Sequence, residues 1–217
     1  MNKGDIFIAG EDPVTIEILR RIVGDYAPSL HIISALPARG SELKTKIGYF
    51  NKVAQTIPIV LLSDLDTDDC APLAKKKLLT GVPNVVDDFV VNIAVDEAEA
   101  WLYADNVGFG KYLKVNLDKF PIAKESTFGG SKKRIEIDTP CKTSYHLTHL
   151  LMKESSDAVK KKQILVEGFG SCKGKEYNSA ILPFIRSLWN VEYARRNSYS
   201  LNGMIQRVQE LEKRILR

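Results

Sequence analysis

Long apolar runs are missing from this chain of 217 residues. Crossing a bilayer takes about 20 consecutive apolar residues, so no transmembrane helix is expected. Cysteine is scarce: Cys70, Cys141 and Cys172 are far apart, odd in number and form no C-x-x-C pair. That composition argues against a disulfide framework and against a thiolate zinc site. Histidine is equally scarce, and His146 and His149, on one helix face, have no third ligand nearby, so they read as structural. The opening MNKGDIFIAGEDP carries Asp5, Glu11 and Asp12 through its short apolar stretch and makes a poor secretory signal, so a cytoplasmic protein is expected. Internal repeats and low-complexity stretches are absent. A phosphate-binding P-loop is absent too: GFGSCKGKE, Gly168 to Glu176, has Phe169 where the pattern needs Gly and Glu176 where it needs Ser or Thr. Lys173 and Lys175, before a helix start near Tyr177, could still meet an anion. The formal net charge of +4 permits binding to a polyanion without demanding it.

What is present centres on IVLLSDLDTDD, Ile59 to Asp69. Ile59 to Ser63 reads as a buried strand of the kind found in parallel sheets covered on both faces. It empties into four carboxylates within six positions: Asp64, Asp66, Asp68 and Asp69. Clustered carboxylates repel one another, and a hard divalent cation such as Mg²⁺ or Mn²⁺ offsets that repulsion with oxygen ligands. Spacing i, i+2 in an extended segment would point Asp64 and Asp66 the same way, toward one ion. The carboxyl ends of parallel strands are also where open α/β sheets place ligands. The plain alternative is an acidic turn that caps the next helix and binds nothing.

The flanking chain alternates strand and helix, which argues for a mostly parallel sheet. Asp5–Gly10 reads as a strand with Glu11 at its carboxyl end, and Asp12-Pro13 then opens a helix over about 14–23, with Ile16, Leu19, Ile22 and Val23 at helical spacing. A short strand at His31–Ala35 and an amphipathic helix over 40–55 follow, the latter with Leu43, Ile47, Phe50 and Ala54 inward. After the aspartates come a short helix over 72–79 with Lys75, Lys76 and Lys77, then an apolar strand at Phe89–Ala94.

In EAEAWLYAD, Glu97 to Asp105, a helical projection puts Ala94, Ala98, Trp101 and Leu102 on one stripe that contains Asp105. Glu99 lies at the stripe's edge and Glu97 faces away. An acid on a buried face is costly unless paired, hydrogen-bonded or near a metal. Glu99 and Asp105 are therefore candidate site groups, the alternative for Asp105 being a helix-end residue fastening the next loop. Residues 106–140 read as loops and short strands. They include TFGGSKKR, Thr127 to Arg134, either a solvated hairpin tip or a phosphate-contacting loop. The chain looks helical again from Ser144, with Lys160 to Lys162 on a solvated face or at a helix C-terminus. The last helix, about 200–216, has Met204, Val208, Leu211 and Ile215 on one face, as a docking helix would.

A first strand ending in Glu (IFIAGED, Glu11), then a strand ending in DxD (LLSDLD, Asp64 and Asp66), resembles the Toprim domain of topoisomerases, primases and overcoming-lysogenization-defect (OLD) nucleases. VNIAVDEAEAWLYAD and NSYSLNGMIQRVQEL are similar to segments of a Toprim-like family of prokaryotes and phages. The resemblance implies an α/β, Toprim/Rossmann-like fold with a mostly parallel sheet over residues 1–110. A mixed α+β, largely helical C-terminal extension over 111–217 would complete it. It further implies a nuclease in which Asp64 and Asp66 hold Mg²⁺ or Mn²⁺, and Glu11 is a ligand or the general acid/base. Asp68, Glu99 and Asp105 are candidates for a second metal or the surrounding shell, and Lys75, Lys132 or Lys133 for neutralising the transition state. Nucleic acid, DNA or RNA, is the expected partner, with an ATPase partner protein and homo-oligomerisation as further expectations and no membrane. A role in prokaryotic or phage conflict follows by analogy. The glycine precedes Glu11 where the Toprim pattern usually has it following.

Two other readings compete. Asp64-Leu65-Asp66-Thr67 satisfies the first motif of haloacid-dehalogenase-like phosphohydrolases, with Asp64 as nucleophile and Asp66 as acid/base. The later acidic pair would then be Asp87-Asp88, which precedes a strand instead of following one. The other reading is a non-catalytic Toprim-like module that binds an ATPase or another partner.

Overall fold

The computed structural model of the chain describes residues 4–38, 40–66, 70–128, 132–168 and 173–217. The chain divides into two compact units, 1–95 with 203–217 and 96–202. The sequence reading puts a boundary near residue 110; the structure parts the chain at Val95, one residue past the last strand of the parallel sheet, and returns the final helical turns to the first unit.

The first unit is α/β. Strands β1 (Asp5–Gly10), β2 (His31–Ala35), β3 (Ile59–Asp64) and β4 (Phe89–Ala94) form a parallel sheet in the order β2-β1-β3-β4. Helices α1 (Pro13–Tyr26), α2 (Ser41–Ala54) and α3 (Ala71–Leu78) make the connections. Every residue of β4 and all of β3 except Asp64 are buried, as apolar strands covered on both faces should be. β2, at the sheet edge, is mostly exposed.

Local chemistry explains the helices. α1 starts with a reciprocal cap: Asp12 Oδ1 accepts from the Thr15 N–H at 2.8 Å, and Thr15 Oγ1 accepts from the Asp12 N–H at 3.0 Å, with Pro13 in the first turn. Its buried stripe is Val14, Ile18, Leu19, Ile22 and Val23, so Ile18 takes the inward place expected of Ile16. On α2, Leu43, Ile47, Phe50 and Ala54 pack in one cluster with Ala9, Ile59, Leu61, Phe89 and Val91 of the sheet. A smaller cluster joins Leu65, Ala74 and Ile93 under α3. Residues 203–216 of the last helix belong with this unit. There Arg207 Nε donates to Asn92 Oδ1 at 2.5 Å, and Arg214 grips Asp88 Oδ1 through Nε and a terminal nitrogen at 3.0 and 2.9 Å.

The second unit opens with α4 (Ala98–Tyr103) and α5 (Asn106–Leu113). A two-stranded antiparallel hairpin follows, β5 (Ala123–Phe128) and β6 (Lys132–Ile137). Next come α6 (Thr143–Tyr145), a π-helical turn at His146–Leu150, a 3₁₀ turn at Leu151–Glu154, α7 (Ala158–Ile164), α8 (Tyr177–Ser187), α9 (Val191–Asn197) and the start of α10 (Tyr199–Leu216). Its core is aromatic: Phe109, Phe184, Tyr103 and Phe120 are buried, with the Phe109 and Phe184 ring centroids 4.7 Å apart. α5 and α9 fall where no helix is expected from the sequence. α5 depends on a side-chain cap from Asp105, and Gly108 is what admits it, because a Cβ there would collide with the Asp105 carboxylate. Among the described residues no helix is long and apolar enough to cross a membrane.

Candidate functional site

The sheet order places a topological switch point between β1 and β3, because β2 lies outside β1 on one side and β4 outside β3 on the other. Doubly wound sheets open a crevice at the carboxyl ends of such a strand pair. β1 and β3 pair in register from Phe7↔Ile59 to Gly10↔Leu62, so the residues just beyond, Glu11 and Ser63-Asp64, lie side by side. Glu11 Oε1 accepts from the Asp64 N–H at 3.2 Å and from the Ser63 hydroxyl in a very short hydrogen bond. Among the described residues nothing donates to Glu11 Oε2, which leaves one oxygen of this carboxylate for a ligand.

The geometry beyond β3 differs from the extended run expected. β3 ends at Asp64, Leu65 tucks into the cluster with Ala74 and Ile93, and Asp66 takes a left-handed conformation with φ +55°. Asp tolerates that region better than most residues. The two aspartates therefore project from a strand end and a turn, and the alternation of a strand does not align them. Asp68, with Thr67 and Asp69, lies outside the described residues. Among the described residues no group of three or more His, Cys, Asp or Glu side chains is arranged to hold a metal ion. The donor set of Glu11, Asp64 and Asp66 is all hard oxygen, the chemistry that Mg²⁺ and Mn²⁺ take.

Lys75 lies on α3 of the same unit, partly buried. Desolvation, and then the positive charge of Arg207, lower its pKa from the ordinary lysine value. Lys132 belongs to β6, in the second unit; its side chain and that of Lys133 are outside the described ones, as are residues 129–131. Asp87 and Asp88 precede β4, and the Asp88 carbonyl accepts from the Ile59 N–H at the start of β3. They stand at the amino edge of the sheet, a strand's length, roughly 16 Å, from Asp64. That separates them from the carboxyl edge where a second acidic pair of a phosphohydrolase would be needed.

Glu99 and Asp105 belong to the second unit, and protein groups take their carboxylates. Glu99 is 1% exposed; its Oε1 accepts from the Tyr177 hydroxyl at 2.9 Å and pairs with Lys173 Nζ at 2.7 Å. The anion awaiting Lys173 is thus a side chain of this chain. Asp105 accepts from the N–H groups of Gly108 at 3.1 Å and Asn190 at 2.8 Å, joining α5 to the start of α9. Burial raises its pKa, and the two backbone donors offset only part of that rise. Glu97 corrects the helical projection. It is only 7% exposed and accepts from the Ser144 N–H at 2.7 Å, because it is the extended residue before α4 (φ −139°, ψ 163°) and lies outside the helix. His146 Nδ1 meets the Tyr103 hydroxyl at 3.0 Å, and His149 stacks on Tyr145 with Nδ1 2.8 Å from Thr148 Oγ1.

Two polar residues of the sheet went unnoticed in the sequence. Ser63, 2% exposed, supplies the hydroxyl that orients Glu11. Asn92, 1% exposed, donates to the Leu61 carbonyl at 3.4 Å and receives Arg207. Each interrupts an otherwise apolar buried strand (IVLLSD, FVVNIA), the only signal the sequence carries for them.

Fold and site define a class: α/β proteins with acidic residues at the carboxyl edge of a parallel sheet's switch point. No family model matches the chain, and no curated protein does either. Among solved structures it is similar to the C-terminal region of the Burkholderia pseudomallei OLD protein, at 15% identity over 95% of this chain and 97% of that one, with a TM-score of 0.41.

Proposed function

We propose that the chain is a divalent-metal-dependent nuclease of Toprim type. The observation that carries the reading is the placement of Glu11 against Ser63 and Asp64 across the β1–β3 edge, at the switch point where such sheets bind ligands. Glu11, Asp64 and Asp66 would hold Mg²⁺ or Mn²⁺, with Asp68 a further candidate ligand. When bound, such an ion polarises a phosphodiester and lowers the pKa of a coordinated water. Ser63 and the Asp64 N–H fix one oxygen of Glu11, so that the other faces the ligand or takes the proton of the attacking water. Lys75 of α3 would supply a cation to the charge that builds on the phosphoryl oxygens. The motif order of OLD-type nucleases, together with the failed P-loop of this chain, makes an ATPase the natural partner and a conflict system the natural setting.

Plasmid, single-stranded DNA and tRNA incubated with Mg²⁺, Mn²⁺ or EDTA test the reading. The expected result is metal-dependent cleavage that Asp64→Ala/Asp66→Ala abolishes and Glu11→Gln reduces by about 10²-fold or more. Cleavage that survives the double substitution, or that persists in EDTA, refutes it. If no substrate is cut and calorimetry detects no metal binding, the non-catalytic module replaces it.

A further inference from the structure

A cleft of about 410 Å³ opens in the second unit, lined by Ile135 of β6, Arg195 and Arg196 of α9, and Tyr199 and Asn202 of α10. That volume lies within the range of small-ligand sites, about 300–1,000 Å³. Arg195 is ordered. Asn202 Oδ1 accepts from both Nε and one terminal nitrogen of Arg195, at 2.9 and 2.7 Å, which sets the guanidinium plane. Arg195 and Arg196 share one carboxylate, Glu192, at 3.4 and 3.5 Å, and the Arg196 side chain keeps 72% exposure. Exposed pairs of this kind hold weakly and exchange readily for a phosphate, which a guanidinium binds through two parallel hydrogen bonds.

Beside these cations stands an aromatic platform. The Arg134 guanidinium lies 4.9 Å over the Tyr199 ring, and Tyr199 is still 43% exposed. β6 is tied to the start of α10, for Glu136 Oε2 and Oε1 accept from the Ser198 hydroxyl at 2.7 Å and the Ser200 N–H at 2.5 Å. Guanidinium groups next to a half-exposed ring are what single-stranded nucleic acid uses, its backbone on the charges and an unstacked base on the ring. A bare anion site would have no use for the ring, and a duplex offers no free base face to it.

We propose that this cleft binds single-stranded nucleic acid, Arg195 and Arg196 contacting phosphates and Tyr199 stacking an unpaired base. The choice of a nucleic acid over other polyanions rests on the nuclease reading; the site itself lies within the second unit and needs no metal.

Fluorescence anisotropy of a fluorescein-labelled 20-mer single strand, titrated with the full chain in EDTA, tests it. Arg196→Ala is expected to weaken binding and to reduce the slope of log K against log salt by about 0.7, one phosphate contact on a single strand. Tyr199→Leu is expected to weaken single-strand binding by about tenfold and to leave duplex binding unchanged. Near-UV circular dichroism checks the fold of Tyr199→Leu, and Arg196→Ala, at an exposed position, gives an independent reading. Unchanged affinity and salt slope in both variants overturn the proposal, as does competition by polyglutamate equal to that by unlabelled oligonucleotide. Because nothing is cleaved in EDTA, the two proposals fail separately. Wild-type protein that binds through Arg196 and Tyr199 yet never cleaves with Mg²⁺ or Mn²⁺ sinks the nuclease alone. Cleavage abolished by Asp64→Ala/Asp66→Ala, with binding indifferent to Arg196 and Tyr199, sinks the cleft alone.

Discussion

Glu99 offers the sharpest test of what the buried acids do, because the sequence makes it a metal candidate and the structure gives it protein partners. Its carboxylate and the Tyr177 hydroxyl are both about 1% exposed and 2.9 Å apart. A hydrogen bond to a buried charge contributes about 1.5–3 kcal/mol, so Tyr177→Phe should cost about 2 kcal/mol. Lys173 lies 2.7 Å from the same oxygen but is 31% exposed, so solvent screening limits Lys173→Met to about 1 kcal/mol. At a urea slope of about 2 kcal/mol/M, Tyr177→Phe lowers the unfolding midpoint by about 1 M, with the slope unchanged. Glu99→Met/Tyr177→Phe, which removes both partners, should cost clearly less than the sum of its single substitutions, since two apolar groups no longer need each other's polar atoms. The same titrations run with Mg²⁺ separate the roles. A ligand that binds only the native state raises the midpoint by mass action. That rise should be the same in wild type and Glu99→Gln. A rise lost in Glu99→Gln, or a Tyr177→Phe cost below about 0.5 kcal/mol with no coupling, refutes a structural role for Glu99.

Lys75 has its pKa lowered by burial and by Arg207, so the folded protein resists its protonation. The unfolded chain takes up that proton first as pH falls below the ordinary lysine value, so this group costs stability at neutral pH and the cost fades at high pH. Lys75→Met should therefore raise the thermal midpoint at pH 7 while lowering cleavage, read by melting and nuclease assays side by side; a fall in both refutes the assignment. Asp157 caps α7 and is held down to about 2 by Lys160, through its ammonium and its N–H. Its share of stability is present above the unfolded carboxylate pKa, about 3.9, and is lost as pH falls through about 2. Asp157→Asn keeps the cap but should flatten the pH dependence of the midpoint in that window. Phe184, fully buried with its ring 4.7 Å from that of Phe109, should cost about 3–5 kcal/mol when replaced by Ala, measured by urea unfolding.

The elements that a sequence specifies locally were the legible ones. β1, β2 and β4 fall on the residues expected, since each is a short apolar run bounded by turn chemistry. The buried apolar residues of α2 among those described are the four that its period selects. What escaped depended on partners distant in sequence. α5 exists through the Asp105 cap, and Asp105 is held in turn by Asn190, 85 residues on. Glu97 defeated the helical projection because a single residue outside the helix obeys no helical period. The extended geometry assumed for Asp64-x-Asp66 failed at Leu65, whose buried side chain draws the chain into a turn.

The candidate site repeats the same division at a smaller scale. Glu11 and Asp64 are 53 residues apart in sequence, and only the parallel register from Phe7↔Ile59 to Gly10↔Leu62 sets one beside the other. Packing fixes that register: β3 is buried on both faces, and a slip of one residue would exchange the side chains that pack on each of them. Once the register is fixed, an acid one residue past β1 must meet the last two residues of β3. Ser63 and the Asp64 N–H then neutralise part of the cost of holding a carboxylate there. The apolar interior of the sheet thus places the acids of its edge.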